Sequence, residues 1–164
     1  MSLSVNGVKI QFILGLIIDL EAAPEIGYLP EERGLYPSMQ AREAIAAGKL
    51  EQAEDLLETA LAVDPRNRGA FVDIARVAEK QHLFGKAIRM TNKALALEPN
   101  DLDAIAVQGE AMVEMGATAR AQANLQKLQA LCKGGCPQIA QLSGAISRGP
   151  TVAAAKTPPS PKSN

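Results

Sequence analysis

The 164-residue chain carries 17 basic and 18 acidic side chains, for a formal net charge of −1, and offers no basic field along which a phosphate backbone would track. Aromatic residues make up 3% of it and tryptophan is absent, while alanine and leucine crowd the middle. That balance argues against nucleic-acid partners and against a β-sandwich, and for closely packed helices.

Residues 1–34 begin with an apolar stretch and pass into the turn-rich "PEIGYLPEERG". A lone Lys9, the apolar run Phe12 to Ile18 and the small residues and prolines beyond it have the three-part layout of a secretory signal. Asp19 and Glu21 end the run early, and Ala22-Ala23 followed at once by Pro24 makes a poor cleavage site. The run is too short for a membrane span, which needs about 20 residues. The expectation is export, with the segment cleaved or kept as a weak anchor, so that any membrane contact is made by this segment. The alternative is a cytoplasmic protein whose apolar N-terminus packs on the helices that follow.

From residue 35 to 133 the chain reads as helix after helix with a period of 34. "ALAVDPRN" (60–67) aligns with "ALALEPND" (94–101); Ala53, Ala87 and Ala121 share the interval, as do Gly48, His82 and Gly116. Three units are expected, over about 35–67, 68–101 and 102–133. In the second, Asn67 serves as N-cap and Phe71, Ile74, Ala75 and Ala78 line one helical face. "KQHLFG" turns the chain, and the return helix presents Ala87, Met90, Ala94 and Leu97 before Pro99 stops it. In the third, Asp101 caps, Ile105 and Met112 face inward, Gly116 turns, and Ala121, Leu125 and Leu128 follow. In the first, Pro37 places the helix start at Ser38.

Such a hairpin, with small residues at fixed positions and a closing proline, resembles the tetratricopeptide repeat. Phe71, Ala75, Ala87, Ala94 and Pro99 fit that pattern in the second unit, and Ala41, Ala53, Ala60 and Pro65 in the first. In the third, Gly109 and Ala121 fit, while Leu128 and Lys133 depart from it. The resemblance implies an all-α, right-handed α-solenoid of three hairpins. "PQIAQLSGAISR", within 134–148, supplies a C-terminal capping helix with Pro137 in its first turn and an Ile139, Leu142, Ile146 stripe. Residues 149–164 are polar and proline-rich, a tail whose Pro158 and Pro161 also fit an extended SH3-type ligand.

The resemblance further implies that the first helix of each hairpin lines a groove for a protein or peptide partner. Arg42, Arg76 and Glu110 occupy one position of successive units, and Asp73, Glu79, Lys80, Asp103 and Glu114 lie on or near the same face. Mixed charge there suits an extended segment carrying both signs. The lysine and asparagine clamp by which chaperone-binding members hold a terminal carboxylate has no groove asparagine here.

Catalysis finds little support in the sequence. His82 is the single histidine and falls in a turn with no nucleophile motif beside it; Glu51, Glu54, Asp55 and Glu58 form a solvated helical stripe. A zinc site would require more ligands than Cys132, Cys136 and His82 provide, and no phosphate loop or dinucleotide fingerprint appears, so no cofactor or metal is expected. Cys132 and Cys136 flank Lys133-Gly134-Gly135, which departs from the Cys-x-x-Cys redox spacing and suits a structural disulfide in an oxidising compartment. The expected function is a non-enzymatic interaction scaffold in a bacterial periplasm or envelope. The rivals are a cytosolic co-chaperone or adaptor, a structural assembly subunit, and a thiol-active protein using Cys132 and Cys136. The oligomeric state is left open.

Overall fold

The computed structural model describes the backbone of residues 2–5, 8–13, 16–19 and 30–151, and the side chains of 36–151. The chain divides into two compact units, residues 1–33 and 34–164.

In the first unit, strands β1 (Ser2–Val5), β2 (Val8–Ile13) and β3 (Leu16–Asp19) form an antiparallel meander in the order β1-β2-β3. Ser2 pairs with Gln11 and Val5 with Val8; Ile10 pairs with Asp19 and Ile13 with Leu16. The apolar run from Phe12 to Ile18 is thus shared between two strands, a structure the sequence reading does not foresee. The β2 sequence explains it: Val8, Ile10 and Phe12 alternate with Lys9 and Gln11, a period of two with β-branched residues.

The helical elements are α1 (Pro30–Ala46), α2 (Leu50–Val63), α3 (Arg68–Lys80), α4 (Phe84–Leu97), α5 (Leu102–Glu114), α6 (Thr118–Leu131) and α7 (Pro137–Arg148). They build an all-α repeat solenoid. Helix α1 contradicts the expected start at Ser38, since it begins at Pro30 and carries Pro37 inside it. Pro30 suits a first helical turn, and although Pro37 removes a ladder hydrogen bond and crowds the turn before it, the burial of Ser38, Ala41 and Ala44 carries the helix through.

Each hairpin turns in the same way. The N–H groups of Lys49, Leu83 and Ala117 donate to the carbonyls of Ala44, Ala78 and Met112 at 2.9, 2.7 and 2.8 Å. The residue before each donor has a left-handed backbone, with φ of 74° at Gly48, 60° at His82 and 76° at Gly116. Two units therefore use the residue that reaches this region without cost, and the middle one uses histidine. At the other ends, the Asn67 and Asp101 side chains cap α3 and α5 by accepting from Ala70 and Ala104 at 3.0 and 2.7 Å. Arg68 adds an ion pair to the buried Asp101.

Small residues set the helix spacing. Ala41, Ala53, Ala60, Ala75, Ala87, Ala94, Ala111 and Ala121 are fully buried, with Leu57, Val77, Val107 and Leu128 filling the space between them. Three further ties cross the helices. Glu54 of α2 pairs with Lys86 of α4, which holds the Glu54 carboxyl below its usual range. An amide ladder joins α4, α5 and α6, with Gln108 donating to Asn92 at 2.7 Å and Asn124 donating to Gln108 at 3.1 Å. Helix α7 closes the array by packing Leu142 and Ala145 against α5 and α6. Gly109 makes this approach possible, because a Cβ there would lie 2.7 Å from both Leu142 methyl carbons.

Candidate binding groove

Helices α1, α3, α5 and α7 share one polar face, joined side chain to side chain. Asp73, 2% exposed, accepts from Arg42 Nε at 2.8 Å and from Arg76 at 2.9 Å. Arg76 also reaches Asp103 at 3.2 Å, and Gln138 of α7 donates to Asp103 at 2.9 Å. With both guanidinium groups on one buried carboxylate, Asp73 organises the two arginines and offsets their charge.

Further along, the side chains of Glu79, Glu110 and Glu114 line a recess with His82, Phe84 and Arg148. Burial pushes the Glu79 carboxyl up to about 8, helped by repulsion from Glu110 and Glu114 and opposed by Arg76. Burial raises Glu110 too, against a 3.0 Å hydrogen bond from Gln141 and the attraction of Arg148. The backbone N–H and the hydroxyl of Thr151 both donate to Glu114 Oε2 at 2.8 Å. His82 stands edge-on to Phe84, with ring centroids 5.9 Å apart.

The structure thus links Arg42, Asp73 and Arg76 into one network and places Glu79 and Glu110 in the adjoining recess. Lys80 is exposed at the end of α3, close enough to attract Glu79. Arg148, Gln138, Gln141 and Thr151 join the face without having been expected there. One signal for Arg148 is present in the repeat itself, since Lys80, Glu114 and Arg148 stand 34 residues apart in turn. The glutamines and Thr151 carry no such signal, because their partners follow from how α7 docks.

The sulfurs of Cys132 and Cys136 lie at bonding distance between α6 and α7, with their Cα atoms 5.9 Å apart. Among the described residues no group of three His, Cys, Asp or Glu side chains is placed to hold a metal ion, and no helix is long and apolar enough to cross a membrane. The segment carrying Lys9 to Pro24 is described only in part, and the tail prolines lie outside the described residues.

Residues 44–106 match the model of the tetratricopeptide repeat family. No curated protein has a significantly similar sequence. Among solved structures, the chain is similar to the first TPR of Spaghetti (RPAP3) bound to the HSP90 peptide SRMEEVD, with 20% identity, 76% of this chain and 95% of that one covered, and a TM-score of 0.64. It is similar to the TPR2B domain of yeast Sti1 in its pHsp70 complex, with 20% identity, coverage of 71% and 98%, and a TM-score of 0.64. The Sgt2 TPR domain from Aspergillus fumigatus gives 20% identity, coverage of 80% and 88%, and a TM-score of 0.64. At this identity the likeness is one of fold. That fold serves elsewhere as a scaffold for protein interaction.

Proposed function

We propose that the array is a non-enzymatic scaffold that holds a basic, extended segment of a protein partner along the acidic face of α3 and α5. The observation that carries this reading is the charge arrangement. Asp73 engages both arginines and Asp103 engages Arg76, whereas the recess beyond gathers Glu79, Glu110 and Glu114 around Arg148, and Glu79, pushed up to about 8, gains its charge when a cation enters. A partner lysine or arginine entering there would meet carboxylates already partly withdrawn from water, where opposite charge is felt most strongly. The Phe84 ring beside them suits the aliphatic stem of such a side chain.

The co-chaperone reading has one point in its favour: structures of this fold are bound to acidic chaperone peptides such as SRMEEVD. It requires free cations, and Arg42 and Arg76 already have carboxylate partners. Fluorescence anisotropy with labelled oligolysine and labelled SRMEEVD separates the two. Tighter binding of oligolysine supports the basic-segment reading, and preferential capture of SRMEEVD overturns it.

We also propose a periplasmic or envelope-associated setting, with the Cys132–Cys136 pair oxidised. The fold brings the two cysteines together across the Gly134-Gly135 turn, with their Cα atoms 5.9 Å apart, and bridges persist in oxidising compartments. Intact mass after alkylation, with and without prior reduction, tests it; two alkyl groups gained without reduction would refute the bridge.

A further inference from the structure

The Cys132–Cys136 pair spans the linker between α6 and α7, and α7 together with Thr151 beyond it donates four hydrogen bonds to the acids of α5. Along α5, Asp103, Glu110 and Glu114 follow one another at helical spacing. Each accepts from α7 or the residues just after it: Asp103 from Gln138, Glu110 from Gln141 and Glu114 from Thr151. Arg148 adds a positive charge to the same recess. A partner cation would compete with all of these.

Helix α7 is the last described helix and packs against α5 and α6. It has 12 residues, a length at which an isolated helix is marginal in water. Its N-cap residue, Cys136, makes no side-chain capping bond. Along it only Leu142 is fully withdrawn from solvent, with Ala145 nearly so, and the linker contains Gly134 and Gly135. Both cysteines are half-exposed and within reach of an external thiol.

We propose that the Cys132–Cys136 bond is a redox latch that holds α7 over the acidic groove, and that its reduction releases α7 and opens the groove to a basic segment. The opening of the groove rests on the basic-segment reading above, whereas the latch stands apart from it. A dithiol reductant attacks one cysteine sulfur through its thiolate, forming a mixed disulfide and freeing the other cysteine as a thiolate. Its second thiolate then displaces the remaining cysteine. Two electrons and two protons pass to the cysteine pair, and the reductant leaves as its own disulfide. Removing so short a ring frees the linker to take many more directions, shifting α7 towards its undocked state by about tenfold on chain-entropy grounds.

The test is amide hydrogen exchange on the full chain, oxidised and reduced by dithiothreitol, with labelled oligolysine binding measured in parallel. Exchange in 139–148 should accelerate about tenfold on reduction while α3 to α5 changes little, and oligolysine should bind severalfold more tightly. The Cys132→Ser/Cys136→Ser variant should behave as the reduced protein under oxidising conditions. Unchanged exchange in α7, or equal acceleration throughout the array, would overturn the latch. Accelerated α7 exchange with no oligolysine binding in either state would keep the latch and refute the basic-segment reading.

Discussion

The two ends of the polar face are built on one repeated position and carry opposite electrostatics. At the α1–α3 end, Arg42 and Arg76 converge on Asp73 and are neutralised there. At the α5–α7 end the equivalent residue is Glu110, which stands with Glu79 and Glu114 in a recess that raises its pKa. The repeat geometry decides where a side chain is delivered. The residue delivered decides whether the site is closed upon itself or left open to a charged visitor.

The contrast is most strongly broken by loosening the helix that covers the acidic end. Leu142→Ala should cost about 2–5 kcal/mol in chemical denaturation, because it empties a fully buried site and loosens α7 from α5. Gly109→Val attacks the same contact from the other side. Its added atoms would overlap the Leu142 methyl groups, with an expected cost of about 1–3 kcal/mol.

Next in size is Asp73→Asn, which should make the two ends differ in the opposite sense. It leaves both arginines without their shared anion, yet they are partly in water, with side-chain exposures of 60% and 35%. The loss of stability should therefore be about 1–2 kcal/mol, less than for a stranded buried charge. Anisotropy should then show stronger binding of SRMEEVD, and no gain would mean that the freed arginines are not presented to a ligand.

A smaller effect comes from pH. Because folding raises the Glu79 carboxyl from 4.5 to about 8, its ionisation works against the folded state. Stability should fall as pH climbs through that window and level off above it. Glu79→Gln should remove most of this slope, raising Tm by a few degrees at the alkaline end and leaving it unchanged below pH 4.5. The remaining slope belongs to Glu110, whose pKa is shifted in the same direction. A basic partner favours the ionised carboxylates, so oligolysine binding should strengthen over the window in which stability declines. The least effect is expected of Arg42→Ala, whose exposed guanidinium should contribute no more than about 1 kcal/mol.

The repeat architecture was legible because its signals are local and recur. The left-handed turn at Gly48, His82 and Gly116, the small residues at Ala53, Ala87 and Ala121, and the caps at Asn67 and Asp101 each follow from a residue type at a fixed interval. Helix α1 was less so, since Pro37 is a strong local signal against a helix and the packing of Ser38, Ala41 and Ala44 overrides it. The strands of the first unit follow a period of two that is easily overlooked in a run judged by length. Asn6-Gly7 between β1 and β2 was the available clue, a residue pair typical of hairpins. In the groove, the sequence identifies which residues share a face but not which acid meets which base. Arg42 finds Asp73 31 positions away, and Gln138 finds Asp103 35 positions away, through helix packing alone.

The histidine that replaces glycine in the middle turn has a practical consequence. His82 holds a left-handed backbone, rests against Phe84 and lines the recess beside Glu79 and Glu114. It is also the single histidine of the chain. Its two ring C–H protons therefore give signals that belong to one residue on the wall of the proposed site, a built-in reporter that needs no label. Titrating a peptide while following those signals would show in one experiment whether the recess is occupied.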